Sequence, residues 1–444
     1  MLLLIHRPGQ SSTSRGWLVL PLVALLLTLA ARARAEEARF AIDLHAHVFM
    51  KPGLGWLFRG SFDQRTATRF DQRLHARIDA ESLDQSKLDL VVVALFAHPA
   101  FCIDVRACVW EQIERARRFV ARHPDWAIAT DPAQAMRLHQ QGKRLLVLSL
   151  EGAASVLESE RDLERFIDEG GIRIVTLLHL TDDRYGGAAT MAGFQYVANP
   201  LGVADRLLDP AAPSLDRNHR GLTPLGRVLA AKLIERGVWL DLTHASDRAL
   251  ATLQPWLDRS GQPPLFTHVS LRRDRPMERA LSESALAFVA ARDGVIGLLP
   301  SDDAFETERK PAPPCPPGCG PEQCRRGVSP LLRAYRELQQ AGVRAVHIGS
   351  DFNGGMRHLG ASCGVTGALA LPSGFFHPGQ FPDLARAFGQ LGLTRPPAEI
   401  SFRRFVERWE RVQPTPLDAG ELPADENTRG PSIAFGVEVG LGTV

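Results

Sequence analysis

Eight short apolar runs, each followed by a segment with helical periodicity, constrain the fold of this chain more than any other feature. The runs are RFAIDLH, LDLVVVALF, RLLVLSLE, IRIVTLLH, GVWLDLTH, PPLFTH, DGVIGLLP and VRAVHIGSD. Near-continuous apolar strands are typical of a parallel sheet that is buried on both faces. Eight strand-helix units over about 380 residues predict an α/β fold with a single (β/α)₈ barrel of the TIM type. A doubly wound sheet shows the same alternation and is the alternative.

The helical segments carry recognisable start and stop signals. In TPLGRVLAAKLIERG, Thr223 is a predicted N-cap, Pro224 suits the first helical position and Gly237 is expected to end the helix.

Two long insertions are expected in the barrel. Residues 180–222 follow the fourth strand, and the Cys- and Pro-rich residues 302–328 follow the seventh. Both follow C-terminal strand ends, where barrels build their active sites. We expect the barrel domain to cover residues 36–412, followed by a Pro- and Gly-rich tail at 413–444.

Residues 1–35 have the order of a secretory signal. Arg7 and Arg15 precede the apolar stretch LVLPLVALLLTLAA, and ARARA follows it, which predicts cleavage after Ala35. The apolar stretch is shorter than the roughly 20 residues that span a bilayer comfortably. We therefore expect a secreted or periplasmic mature protein without a stable membrane span. A membrane anchor formed by an uncleaved N-terminal segment is the alternative.

The composition is that of an ordinary globular protein, with 45% hydrophobic and 23% charged residues among 444. The formal net charge is +2, and removal of the leader, which holds four arginines and no acid, changes it to −2. A nearly neutral chain of this kind indicates neither nucleic-acid binding nor a polybasic membrane patch.

Six cysteines agree with an oxidising compartment, in which three disulfides are expected. Cys102 and Cys108 flank one short loop and are predicted to pair. The pairing stays open among Cys315, Cys319, Cys324 and Cys363. A thiolate zinc cluster in CPPGCGPEQC is the alternative, although its spacing lacks the paired C-x-x-C signature.

Ionisable side chains collect at the predicted C-terminal strand ends. They are His45 and His47 after the first strand, Glu151 after the third, His179 after the fourth, His244 after the fifth, His268 after the sixth and Asp351 after the eighth. Because residues i and i+2 of a strand point the same way, His45 and His47 can bind one ion. We expect Glu151 to bridge to a second ion that His244 and His268 complete. Imidazole and carboxylate are ligands that zinc accepts.

Each of these residues alone has an ordinary explanation. The histidines of an H-x-H pair can be solvated at a loop, and Glu151 or Asp351 can cap a helix. Their joint occurrence at one end of alternating strand-helix units favours a metal site.

Several segments resemble the membrane (renal) dipeptidase family of metallopeptidases, which have amidohydrolase-type barrels. The most specific are GLTPLGRVLAAKLIERGVWLDLTHASD (221–247) and IGSDFNGG (348–355). In the same order as in the family come LEGAAS (150–155), TLLHLTDDRYGGAA (176–189), THVS (267–270), GVIGL (294–298) and FPDL (381–384). The resemblance spans residues from about 40 to about 410.

The resemblance implies roles for individual residues. His45 and His47 would bind the first of two divalent metal ions, expected to be zinc; His244 and His268 would bind the second, and Glu151 would bridge both. His179 matches the histidine that polarises the scissile carbonyl. Arg279 matches the arginine that receives the carboxylate of the substrate. Asp351 matches the acid that carries the proton between the bridging hydroxide and the leaving amine.

Three positions depart from the family pattern. His47 stands where the family usually has aspartate, Asn353 replaces an acid, and Ala280 replaces the asparagine usual after the arginine. The loss of a negative ligand at position 47 is expected to weaken the first metal site.

The resemblance predicts an exported binuclear hydrolase that cleaves the amide bond of dipeptides or related small molecules with a free carboxylate. Two alternatives stay open. One is another amidohydrolase-type activity, on a lactone, an N-acyl amino acid or an ester; the other is a secreted, non-catalytic binding protein with a vestigial metal site. No nucleic-acid partner is expected, and a homodimer is left open.

Overall fold

The structure is a computed structural model. It describes residues 39–50, 78–99, 102–191, 199–208, 217–305, 328–356, 358–360, 362–363, 369–371, 374–393 and 395–417. The predicted leader, Cys315, Cys319, Cys324 and the tail from residue 418 lie outside the described residues. The leader and the two further disulfides therefore stay predictions.

Eleven strands lie within the described residues. They are β1 (Ile42–Ala46), β2 (Leu90–Leu95), β3 (Trp126–Ile128), β4 (Arg144–Glu151), β5 (Ile172–Thr176), β6 (Trp239–Asp241), β7 (Leu265–Val269), β8 (Val295–Leu298), β9 (Ala345–Ile348), β10 (Ser362–Cys363) and β11 (Leu369–Leu371). Eight of them run parallel in the order β1, β2, β4, β5, β6, β7, β8 and β9, and β9 pairs with β1. This closure confirms the (β/α)₈ barrel and excludes the doubly wound sheet.

Helices surround the barrel. They are α1 (Ala80–Ser86), α2 (Val105–Arg122), α3 (Pro132–Gln140), α4 (Glu160–Leu163), α5 (Pro200–Leu208), α6 (Pro224–Glu235), α7 (Asp247–Ser260), α8 (Glu283–Ala291), α9 (Val328–Gln340), α10 (Phe381–Gln390) and α11 (Ala398–Glu410). A π-helical turn, Glu164–Glu169, continues α4. None of the helices described here combines the length and apolar character that crossing a membrane requires.

Helix α6 begins and ends as its sequence predicts. The Thr223 side chain accepts a hydrogen bond from the backbone N–H of Gly226, and Pro224 occupies the first turn. Gly237 follows the helix with a φ of 64°, a conformation that glycine adopts at little cost.

The interior of the barrel is apolar at the end where the strands begin. One buried cluster contains side chains from all eight barrel strands, among them Ile42, Leu90 and Val295. Because side chains from all eight strands can meet only inside the barrel, this cluster fills the interior. Helix α11 adds Phe402 and Phe405 to this cluster and so covers the N-terminal end of the barrel. The polar side chains of the barrel interior therefore lie at the C-terminal end of the strands.

The sequence analysis missed three short strands and predicted one crosslink correctly. Strand β3 has only three residues and pairs with the beginning of β4 outside the eight-stranded ring, and β10 and β11 form a separate antiparallel pair. Cys102 and Cys108 form the predicted disulfide in the segment after β2.

Candidate metal centre

The structure brings the eight predicted site residues together at the C-terminal end of the barrel. His45, Glu151 and His268 lie on strands β1, β4 and β7, and His47 follows β1 directly. Three others stand three residues past strands β5, β6 and β9: His179, His244 and Asp351. Arg279 lies in the loop between β7 and α8.

The carboxylate of Glu151 is the centre of the cluster. Its Oε1 lies close to the Nε2 atoms of four imidazoles: His244 at 3.2 Å, His179 at 3.4 Å, His45 at 3.4 Å and His268 at 3.5 Å. Its Oε2 lies 3.2 Å from Nε2 of His47. Glu151 is 2% exposed, so these histidines and not water surround its charge. This arrangement suits a carboxylate shared between two cations.

Asp351 provides a second carboxylate on the side of His47. Its Oδ1 lies 3.3 Å from Nε2 of His47 and 3.8 Å from Nε2 of His45. The backbone of Asp351 is left-handed, with a φ of 51°, and so is that of His244, at 68°. Such conformations are costly for residues other than glycine and are concentrated at functional sites.

The protonation of the cluster follows from its burial and its two carboxylates. Burial alone would lower the pKa of His47, but hydrogen bonds to Asp351 and Glu151 outweigh it and raise the pKa to about 10. Burial, with smaller contributions from His47 and Arg279, lowers the pKa of His179 to about 4. Although burial opposes it, the surrounding histidines hold the pKa of Glu151 well below its usual range. A protonated His47 imidazole therefore offsets part of the negative charge of the Glu151 and Asp351 carboxylates.

The donor atoms fit divalent metal ions. Three groups of ligand atoms within 4.8 Å of one another occur among the described residues: His45 with His47 and Glu151; His45 with His268 and Asp351; and Glu151 with His179 and His244. Nε2 of His45 is fully buried and forms no hydrogen bond with any residue that the structure describes. An orphaned imidazole nitrogen beside two carboxylates is the arrangement that a zinc-type cation completes.

Arg279 lies against the histidines rather than facing an open pocket. Its Nε donates to Nδ1 of His244 (3.1 Å), and its Nη2 donates to the carbonyl of His268 (2.9 Å). Arg279 is 8% exposed, and burial lowers the pKa of its guanidinium to about 10. The residue predicted to meet a substrate carboxylate is thus within the site, but two of its nitrogens already have partners there.

The sequence analysis missed the groups that support the candidate ligands. Oδ1 of Asp43 accepts hydrogen bonds from the backbone N–H groups of His45 (3.2 Å) and Ser350 (2.9 Å). Asp241 accepts hydrogen bonds from threonines of three strands or strand ends. The sequence pattern that could have indicated them is an acid inside an otherwise apolar strand, as in AIDLH and WLDLTH.

Phe96 and Asn353 complete the surroundings of His47. The Phe96 ring lies 4.7 Å from the ring of His179 and 6.1 Å from that of His47. Nδ2 of Asn353 donates to the backbone carbonyl of His47 at 3.3 Å. Ala280, another departure from the family pattern, is buried beside Arg279.

Solved structures show the same fold at low sequence identity. The probable dipeptidase PvdM from Pseudomonas aeruginosa superposes with a TM-score of 0.62 at 18% identity, covering 86% of this chain and 97% of that one. A metallopeptidase from Rhodobacter sphaeroides, solved with a phosphinate mimic of the dipeptide L-Ala-D-Ala, gives 0.61 at 16% identity, covering 84% and 100%.

Sequence comparison identifies the family. An uncharacterised dipeptidase of Schizosaccharomyces pombe is 22% identical over 305 residues, which are 68% of this chain and 62% of that protein. The match thus spans less than two thirds of the relative. The model of the membrane dipeptidase family, peptidase family M19, matches residues 37–362. The chain therefore belongs to the membrane dipeptidase family of metallopeptidases.

Proposed function

We propose that this protein is an exported dipeptidase that uses two zinc ions to hydrolyse the amide bond of dipeptides or similar amides with a free carboxylate. The observation that carries the proposal is the buried Glu151 carboxylate, which lies within 3.5 Å of imidazole nitrogens from five histidines. His45 and His47 would hold one ion and His244 and His268 the other, with Glu151 between them. When bound, the ions supply Lewis acidity, which polarises the amide carbonyl and lowers the pKa of a water molecule.

The remaining side chains supply the other needs of amide hydrolysis. In the reaction, a bond forms between the oxygen of water and the carbonyl carbon, and the C–N bond breaks. Asp351, 3.3 Å from His47, would take a proton from the water and pass it to the leaving nitrogen. His179, which its lowered pKa keeps neutral at pH 7, would donate a hydrogen bond to the oxygen of the carbonyl.

The carboxylate of the substrate would be received by Arg279, the buried cation nearest to the second pair of histidines. For this, the guanidinium must exchange at least one of its present contacts for the substrate. Planar guanidinium and carboxylate groups form two parallel hydrogen bonds, which supplies the free energy for such an exchange.

Metal analysis of the purified full chain beside a dipeptide screen tests the proposal. We expect two zinc ions per chain and hydrolysis that a chelator abolishes and zinc restores. Since the Rhodobacter sphaeroides relative was solved with a mimic of L-Ala-D-Ala, the panel should include dipeptides with a C-terminal D-residue. Zinc-loaded protein that cleaves no member of the panel, while an authentic family member does, would contradict the dipeptidase assignment. Absence of both metal and activity would favour a non-catalytic binding protein.

One observation favours hydrolysis of a different bond. Because two nitrogens of Arg279 are already bonded to His244 and His268, a substrate without a carboxylate would need no exchange of contacts. A screen of lactones and esters that lack a free carboxylate, on the same protein, separates this second candidate from the first.

A further inference from the structure

Asp241 is a buried acid whose hydrogen bonds all come from neighbouring donors. Its Oδ2 accepts from the hydroxyls of Thr267 (2.6 Å) and Thr176 (2.7 Å). Its Oδ1 accepts from the Thr243 hydroxyl (2.6 Å) and from the backbone N–H groups of Thr243 (3.1 Å) and Thr267 (3.0 Å). Because a carboxylate surrounded by donors only accepts, the 2.6 Å contact with Oδ2 of Asp241 takes up the hydroxyl hydrogen of Thr267.

The oxygen of Thr267 then has only lone pairs left for its other neighbours. It lies 3.0 Å from Nδ1 of His268 and 3.3 Å from Nδ1 of His45. An oxygen that can only accept requires a hydrogen on each of these nitrogens. In a neutral imidazole the other nitrogen, Nε2, is then a bare lone pair, and in both residues Nε2 lies within 3.5 Å of Oε1 of Glu151.

We propose that Thr267, oriented by Asp241, is a positioning residue that sets the tautomer of His45 and His268 together, so that Nε2 of each is presented to a metal ion. The inference rests on the proposed function, in which His45 binds one ion and His268 the other. One hydroxyl would therefore pre-organise two ligands, one for each ion. Hydrogen-bond partners of metal-binding histidines commonly orient a single ligand in this way.

Thr267 lies beside two closely spaced imidazole rings in a tightly packed part of the barrel. The rings of His45 and His268 lie 3.8 Å apart between centroids, which lets a single oxygen reach both. A Cβ atom added to Gly297, on the neighbouring strand β8, or to Gly349, just after β9, would lie 1.8 or 1.9 Å from the carbonyl oxygen of Thr267. Glycine at both positions thus lets the backbone of Thr267 lie close to the backbones of residues 297 and 349.

The tautomers can be measured directly in the metal-free wild-type protein. Nitrogen-15 spectra of histidine-labelled protein distinguish a hydrogen on Nδ1 from one on Nε2, and His45→Gln and His268→Gln variants assign the two signals. We expect both residues to carry the hydrogen on Nδ1. An Nε2–H tautomer at either residue would overturn the inference, whether or not the protein binds metal.

Substitution of Thr267 tests the consequence for zinc affinity. Thr267→Val, which keeps the shape but removes the hydroxyl, is expected to weaken binding of both ions by about 10- to 100-fold. Thr267→Ser restores the hydroxyl and should bind within about threefold of wild type. Thr176→Val is the matched control, because the Thr176 hydroxyl donates to the same Asp241 oxygen but bonds to no histidine among the described residues. We expect it to retain wild-type affinity within about threefold.

Each outcome of the affinity measurements decides the question. Equal losses in Thr267→Val and Thr176→Val would mean that the Asp241 network only stabilises the barrel, and would overturn the positioning role. Unchanged zinc binding in Thr267→Val would overturn it as well. If the wild-type protein binds no zinc, the proposed function fails, and the tautomer spectra still decide the inference.

Discussion

Nε of Arg279 lies 3.1 Å from Nδ1 of His244, so the cation proposed for substrate binding lies against a proposed metal ligand. Burial and then the charge of Arg279 hold the pKa of His244 well below its usual range. A positive charge in this position also disfavours a metal ion at His244. Substrate binding, which draws the guanidinium towards a carboxylate, would relieve this repulsion.

Arg279→Ala is therefore expected to separate substrate binding from metal binding. The KM for a dipeptide should rise by about 10- to 100-fold, because the charge-assisted contact with the carboxylate is lost. Zinc affinity should be unchanged or higher, because a buried cation has been removed. Steady-state kinetics and zinc competition measure the two effects.

Arg279→Lys is the matched control for charge. It keeps the cation but loses the planar fork, so zinc affinity should stay near wild type while KM still rises. If neither variant changes KM for the best substrate, carboxylate recognition by Arg279 is wrong.

His179→Asn tests the donor to the carbonyl oxygen. Loss of one such donor is expected to lower kcat by about 10²- to 10³-fold with little change in zinc content. His98→Asn is a suitable control, since the His98 ring lies 6.5 Å from that of Phe96, the ring that His179 also contacts. A parallel loss of zinc in His179→Asn would instead make His179 a metal ligand.

His47→Asp tests the charge balance of the proposed first metal site. In the metal-free protein a protonated His47 balances Glu151 and Asp351, and aspartate would put a third carboxylate beside them. We expect the metal-free protein to melt at a lower temperature and zinc affinity to rise by at least about tenfold. His47→Asn, with the shape of aspartate but no charge, also removes the balancing imidazolium, so it should lower the melting temperature less than His47→Asp and should not raise zinc affinity; equal zinc affinities in the two variants would exclude a charge effect.

Gly354→Ala is expected to disturb Asp351 without unfolding the protein. Gly354 is exposed, but a Cβ added there would lie 1.9 Å from Oδ1 of Asp351. The displaced carboxylate should lower kcat by about tenfold or more, while the melting temperature changes little. Gly389→Ala in α10, where an added Cβ meets nothing within 4 Å, should leave kcat unchanged. Wild-type kcat in Gly354→Ala would argue against a proton-transfer role for Asp351.

The position of the site could be predicted from the sequence, because parallel barrel strands all end at one face. This rule alone brings His45 near Asp351, residues from opposite ends of the domain, and the structure confirms that the predicted residues converge. Their roles as ligands or catalysts stay predictions until metal is measured.

Features that depend on neighbouring strands or loop conformation could not be predicted. The bonds between Asp241 and Thr267 depend on how β6 and β7 pair, which a single sequence does not reveal. The contact of Arg279 with His244 depends on the path of the loop after β7. Strand β3 was missed because three residues are too few to show a period.

His347 is expected to make the fold sensitive to acid. It is buried on β9, its ring lies 6.2 Å from that of Phe405, and its Nε2 has no hydrogen-bond partner among the described residues. Burial, followed by the charges of Arg408 and Arg404, lowers its pKa to about 3 from an ordinary value of 6.5.

Between about pH 3 and pH 6.5, the unfolded chain binds a proton at His347 that the folded protein does not, so the free energy of unfolding falls as the pH drops below about 6.5. At about pH 4.5 the loss would be on the order of 2–3 kcal/mol relative to pH 7. His347→Gln should remove this part of the pH dependence in urea unfolding, whereas His123→Gln, which removes a partly buried histidine on the surface, should not. Identical pH profiles for wild type and His347→Gln would show that other groups cause any acid sensitivity.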